Sequence, residues 1–243
     1  MSDYDYSIHY KRFHDEQGID TAPRTDVLAG RIKLHLNLPA EARILDIGCG
    51  FGFALSALRR LGYENTLGLE LSAQQAEIAR GVGHTVVVTD DSIEWMRSHP
   101  ESFDFVLLFD VLEHVPVPAQ IDFLRALHTA LRPGGTLLMD VPNANAILSS
   151  RWRYIDYTHH TSFTEHSLYF VLRNAGFEKI WIDSNKGIGR FPRRLWLRSA
   201  RLDARRWLVR WWWFQVVAAE LHWQSIADIS FDLNLTATAT KHA

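Results

Sequence analysis

The chain has 243 residues, 47% of them apolar and 22% charged, with a formal net charge of −2, which fits one large domain or one domain with an appendage. No run of eighteen uncharged apolar residues occurs, no basic stretch leads into an apolar one at the start, and the single cysteine, Cys49, has no partner for an internal disulfide. A membrane span, a secretory leader and a disulfide scaffold are therefore not expected, and a reducing cytoplasm is.

Residues 1–26 are polar and aromatic with mixed charge, and together with an imperfect helical pattern over 27–38 they read as an arm or lid. From Arg43 onward the chain reads as a buried strand (Ile44, Leu45, Ile47), a turn with glycines at 48, 50 and 52, and a helix from Phe53 to Leu61. Glycine allows a tight turn and close approach of a ligand to bare backbone, and the first amides of the following helix point unpaired into the same crevice. The spacing G-x-G-x-G departs from the dinucleotide fingerprint G-x-G-x-x-G at its third glycine. Asp46, two positions before the first glycine, disfavours a pyrophosphate and favours a cation. S-adenosylmethionine carries a sulfonium and an ammonium and no phosphate, so the local charge suits it better than a nicotinamide dinucleotide. Cys49, inside the turn, reads as a small packing residue.

A second strand over 65–70 ends in Glu70, and Ser72 caps a helix running to Arg80. A third strand over 85–89 ends at Asp90 and Asp91, one of which is expected to cap the helix over 92–97. The fourth, 103–109, is followed by Asp110, Glu113 and His114; a helix over 118–131 closed by Arg132-Pro-Gly-Gly leads to a fifth strand, 136–141. Strand alternating with helix predicts right-handed crossovers and a parallel sheet covered on both faces, with ligands bound beyond the carboxyl ends of the strands. Asp46, Glu70, Asp90, Asp91, Asp110, Glu113 and His114 all fall at such ends. Beyond Pro142 comes a polar, aromatic insert over 152–164, then a helix over 165–174, a strand over 177–183, and a last strand over 229–238.

On Leu45-Asp-Ile-Gly-Cys-Gly-Phe-Gly52, Gly68-Leu-Glu-Leu-Ser72, Asp104-Phe-Val-Leu-Leu-Phe-Asp-Val-Leu-Glu-His-Val115 and Leu131-Arg-Pro-Gly-Gly-Thr-Leu137, the chain resembles the class I S-adenosylmethionine-dependent methyltransferases. The resemblance implies an α/β fold: a Rossmann-like, seven-stranded sheet with helices on both faces and a reversed last strand. It divides the chain into an arm and first helix (1–38), a core (39–189 and 224–243) and an Arg/Trp-rich helical insertion (190–223). Carried over position by position, it places Gly48, Cys49, Gly50 and Gly52 along the methionine and ribose of S-adenosylmethionine, with Asp46 facing the positive end. Glu70 takes the ribose hydroxyls, Leu71 lies beside it, Asp90 or Asp91 receives the adenine amino group, and Asp110 completes the set.

The insert motif Asp156-x-Thr158-His159-His160-x-x-Phe163-Thr164 is similar to a subgroup of bacterial methyltransferases that accompany surface polysaccharide synthesis. That implies transfer to a hydroxyl of a sugar in a glycan or lipid-linked saccharide. A quinone or other small-molecule O-methyltransferase, which shares the Glu-His-Val motif, is the alternative, and a catalytically silent binding partner with the same fold is a third reading. A hydroxyl nucleophile calls for a general base, and His159, His160 and His114 are the candidates. Asp156, His159 and His160 also form a conceivable divalent-metal set, but the spacing is not diagnostic and no metal is expected.

Residues 190–210 hold eight arginines and one acid. Arg194, Arg198, Arg201 and Arg205 share one helical face and Leu195, Leu202, Val209 and Trp213 another. An anionic membrane surface, peripherally at the inner face, or a partner protein is the expected contact of 190–214, with packing inside the molecule as the rival and nucleic acid disfavoured. The oligomeric state stays open.

Overall fold

The computed structural model describes residues 23–183, 198–221 and 229–242. In chain order the elements are α1 (Pro23–His35), β1 (Ile44–Ile47), α2 (Phe53–Arg60), β2 (Thr66–Glu70), α3 (Ala73–Gly81), β3 (Val86–Val88), α4 (Ser92–Arg97) and β4 (Phe103–Phe109). Two short turns, Leu112–His114 and Val117–Ala119, lead to α5 (Gln120–Ala130), β5 (Leu131–Pro142), α6 (Ser149–Ile155), α7 (Glu165–Asn174), β6 (Glu178–Asp183), α8 (Arg198–Glu220) and β7 (Asn234–Thr240). The seven strands form one sheet in the order β3-β2-β1-β4-β5-β7-β6. The first five pair in parallel, and β7 runs antiparallel between β5 and β6, as the resemblance implied.

The period of two along each strand sorts the core onto the two faces of the sheet. Leu45, Ile47, Val106, Leu108, Leu137 and Met139 join Phe123, Leu127, Leu168 and Leu172 of α5 and α7 on one side. Ile44, Phe105, Leu107 and Leu138 meet Ile32 of α1 and Leu55 and Leu58 of α2 on the other. On this second face the alternation carries on into acids at the carboxyl edge: two residues past Ile44 stands Asp46, and two past Leu138 stands Asp140, both buried. The pleat that builds the core therefore also aims two carboxylates into the space under α1.

Several boundaries differ from the sequence reading. The first helix occupies 23–35 rather than 27–38, because Pro23 sits in its first turn, where the absence of an N–H costs nothing. The strand β5 begins at Leu131, so the Pro-Gly-Gly stretch belongs to the strand and not to a helix end. The last strand starts at Asn234, five residues later than 229, because Ser230 and Asp232 are held by the buried side chain of Asn143, whose Nδ2 donates to both carbonyls at 2.8 Å. The arm over 1–22 and residues 190–197 and 222–223 of the insertion lie outside the described residues.

Candidate functional site

A cavity of about 530 Å³ opens at the carboxyl edge of the sheet. Its floor carries Asp46 and Gly48, its far wall Asp110, Glu113 and His114 after β4, its near wall Trp152, Asp156 and His159 from the insert, and its roof Arg24, Leu28 and Arg31 of α1.

At the floor, Asp46 is 3% exposed, and one of its oxygens, Oδ2, is buried without a hydrogen-bond partner among the described residues. Burial first, and the charge of Glu70 second, push its carboxyl up to about 8. In the turn beside it, Gly48 sits at φ +70° with its Cα packed against Val111: a Cβ there would stand 2.5 Å from Cγ2 of that side chain. The buried Cys49 packs under β2, since a Cβ on Gly68 would strike its Sγ at 2.6 Å. Its thiol is pushed up by burial first and then by Asp46 and Glu70, which leaves it inert.

Glu70 ends β2 with its carboxylate turned back on the glycine turn, accepting from the amides of Gly50 at 2.8 Å and Ser72 at 2.9 Å. Burial raises its carboxyl, against those same hydrogen bonds. It thus clamps the glycine turn while each oxygen keeps a second lone pair for a ligand hydroxyl. Gly52 is the left-handed N-cap of α2, and Leu71 is exposed. Asp91 is the helix cap foreseen for one of the pair: it caps α4 by accepting from the Glu94 amide at 2.9 Å, which leaves the exposed Asp90 as the residue of the two without a capping role. Gly50, Gly52, Glu70, Leu71, Asp90 and Asp91 lie along the same sheet edge but not in the cavity wall itself.

At the far wall, Asp110 adopts the left-handed φ of 54° and accepts from Asn234 Nδ2 at 3.1 Å. Solvent reaches it through the cavity mouth, yet the surrounding protein and then Asp140 push its carboxyl up to about 6. Glu113 is fully buried, neither carboxyl oxygen has a hydrogen-bond partner among the described residues, and burial followed by Asp110 raises it well above the usual range.

Of the three candidate histidines, the structure brings two together. His114 and His159 lie edge to face with ring centroids 4.6 Å apart, and both line the cavity. His160 is exposed and does not line it; its backbone amide bonds Glu113 O at 2.7 Å. Thr158 donates its hydroxyl proton to Asp156 Oδ1 at 2.7 Å, so its oxygen accepts from His114 Nδ1–H, also at 2.7 Å. His159 Nδ1 lies 3.0 Å from the carbonyl of Trp152, which can only accept. In both neutral rings the lone pair is therefore on Nε2. Ligand atoms of Glu113, His114 and His159 fall within 4.8 Å of one another, a donor set that shares only His159 with the metal set considered from sequence.

Sequence reasoning missed Arg24 and Arg31. Their signal was the 24-27-28-31 spacing of one helix face, hidden by a first helix drawn too late. Arg31 pairs with the buried Asp140 and bonds Thr236 Oγ1 at 3.2 Å, tying the roof to β5 and β7.

A family model described as a methyltransferase domain matches residues 22–181. The ubiquinone biosynthesis O-methyltransferase of Xanthomonas euvesicatoria is 32% identical over 198 residues, 75% of this chain and 77% of that one. The enzyme of the same name from Xanthomonas campestris is 37% identical over 125 residues, 49% of each chain, so the match spans about half the length of that relative. Among solved structures, a SAM dependent methyltransferase from Archaeoglobus fulgidus superposes with a TM-score of 0.67 at 19% identity, over 98% of this chain and 100% of that one. Phosphoethanolamine N-methyltransferase 2 of Haemonchus contortus, solved in complex with S-adenosyl-L-methionine, gives 0.63 at 18% identity over 100% of this chain and 61% of that one. The sheet order, the glycine turn on its floor of acids and the matched length converge: the chain belongs to the methyltransferase-domain family and has the fold of the S-adenosylmethionine-dependent methyltransferases.

Proposed function

We propose that the chain is an S-adenosylmethionine-dependent O-methyltransferase whose acceptor is a hydroxyl on a quinone-type or other small aromatic molecule. The observation that carries the cofactor is the buried oxygen of Asp46, unpartnered among the described residues, beside a glycine turn that lines the same cavity. A buried carboxylate without a partner is costly, and a cation beside it removes the cost. The residues present therefore fit this donor: Asp46 faces its charged end, Gly48 offers bare backbone in the cavity floor beside it, and Glu70 takes the ribose hydroxyls. When bound, S-adenosylmethionine supplies a methyl group already activated by a sulfonium.

What remains for the protein is to orient the acceptor and take its proton. Phe109, Trp152 and Ile155 offer flat and apolar walls to a ring. Nε2 of His114 accepts the hydroxyl proton, with Thr158 and Asp156 fixing the ring through Nδ1; His159, at its edge, is the neighbouring acceptor. The relatives named for ubiquinone biosynthesis favour this acceptor class over a sugar hydroxyl, which has only the insert motif behind it. The Glu113, His114 and His159 cluster supports a second reading, in which a divalent cation holds the acceptor oxygen instead; loss of turnover in a chelator and its return with magnesium would favour that version.

The test pairs calorimetry with turnover. S-adenosylhomocysteine is expected to bind and NADH not to, and methyl-labelled S-adenosylmethionine is expected to label a catechol probe such as 3,4-dihydroxybenzoate. Tight S-adenosylhomocysteine binding with no transfer to catechol or sugar probes would return the chain to the silent binding partner.

A further inference from the structure

We infer that the outward face of α8 is a docking surface for an anionic lipid bilayer. No helix among the described residues is long and apolar enough to cross a membrane, so the contact is one of lying on the surface. The structure divides the aromatic cluster of this helix in two. Trp213 donates to Asn145 O at 3.2 Å, Phe214 meets Phe231 edge to face, Arg210 pairs with Asp232, and Ala204 is buried, so this side is packed. The opposite side recurs at three- and four-residue steps through 202, 205, 209, 212 and 216, and all of these exposed positions but Arg205 are apolar. Leu202 is 55% exposed, Val209 50%, Trp212 57%, and Leu208 beside them 51%.

A soluble surface rarely leaves such a stripe bare. Its chemistry selects the occupant: Arg201 and Arg205 stand on the same side, toward the amino end of the stripe, and both are exposed. Arginine beside tryptophan and leucine, with the apolar groups outermost, matches the anionic headgroup layer of a bilayer, where guanidinium meets phosphate and the rings sink below it. A protein partner or a second copy would bury the leucines equally well but gives the arginines no such general complement.

The placement adds a consequence. The packed side of α8 rests on the loops after β5 and before β7, and the strand ends next to those loops, Pro142 and Asn234, line the cavity. Docking therefore sets the headgroups on the far side of α8 from the strand ends that line the cavity.

Co-sedimentation with vesicles tests this directly and needs no acceptor. The full chain is expected to bind vesicles of mixed phosphatidylglycerol and phosphatidylcholine, to release as salt rises, and to ignore phosphatidylcholine alone. The Val209→Glu/Trp212→Glu variant is expected to lose at least about tenfold in partitioning, and Arg201→Glu/Arg205→Glu to lose the preference for anionic lipid, while both keep wild-type calorimetry with S-adenosylhomocysteine. Wild-type protein that stays in the supernatant at low salt would overturn the inference. So would a dimer in sedimentation equilibrium that the Val209→Glu/Trp212→Glu change dissociates, because a second copy would then own the face.

Discussion

At the residue scale the governing feature is one buried oxygen of Asp46 with no hydrogen-bond partner among the described residues. The free protein keeps Asp46 with a value near 8 against an ordinary value of 3.8. The folded group binds its proton more tightly than the unfolded one, so its stabilising share is complete below about pH 4 and is lost as pH rises toward 8. Asp46→Asn is accordingly expected to stabilise the ligand-free protein at pH 7.5, by up to about 5 kcal/mol on that linkage, and to weaken S-adenosylmethionine by at least about tenfold; thermal melts and calorimetry read the two effects. Between pH 6 and 7.5, binding is expected to release a proton, seen as a heat that depends on the buffer, because a cation beside Asp46 favours its ionised form. Invariant heat across buffers would remove Asp46 from the cation's side. At the other end of the cavity, His114→Ala is expected to lower kcat by about 100-fold or more, while His160→Ala leaves it unchanged. Thr158→Ala is expected to lower kcat and shift its pH profile, and Thr158→Ser to restore both, a split that mere packing would not give.

Elements position these residues through contacts that sequence cannot advertise. The glycine turn was legible because its period change is local, and β4 was legible to the residue, since Phe103–Phe109 is, Asp104 apart, an apolar run of strand length closed by polar residues at each end. The start of β7 was not, because the anchor that keeps 230–232 out of the sheet is Asn143, some 87 positions away. The choice between His159 and His160 was equally hidden: neighbours in a loop have no periodicity to separate them, and contacts of the folded chain, the Trp152 carbonyl and the His114 ring among them, hold the His159 ring inward. Two changes test the elements. Gly48→Ala, with φ +70° and a Cβ 2.5 Å from Val111, is expected to cost about 1–3 kcal/mol in a denaturant melt and to abolish cofactor binding. Asn143→Ala, removing two buried hydrogen bonds, is expected to cost about 2 kcal/mol and to speed amide exchange over 229–233. Unchanged exchange there would mean that packing by α8, and not Asn143, holds the loop.

At the scale of the whole molecule, alternating strands and helices announced the sheet, and the acids at one edge announced the site, but the cavity is closed by pairs far apart in the chain. Arg31 reaches Asp140 across 109 positions, and Asn234 reaches Asp110 across 124. The reversed strand β7 has a further effect on how this molecule comes into being. A ribosome delivers β5 and β6 before β7 exists, so during synthesis two strands wait with open edges for the one that joins them. The nascent chain can lay the cavity's floor early, yet Asn234, which lines the cavity and bonds Asp110, arrives only with β7. A chain stopped before residue 229 is therefore expected to form inclusion bodies and to pair through its bare strands rather than fold into a smaller, working version of itself.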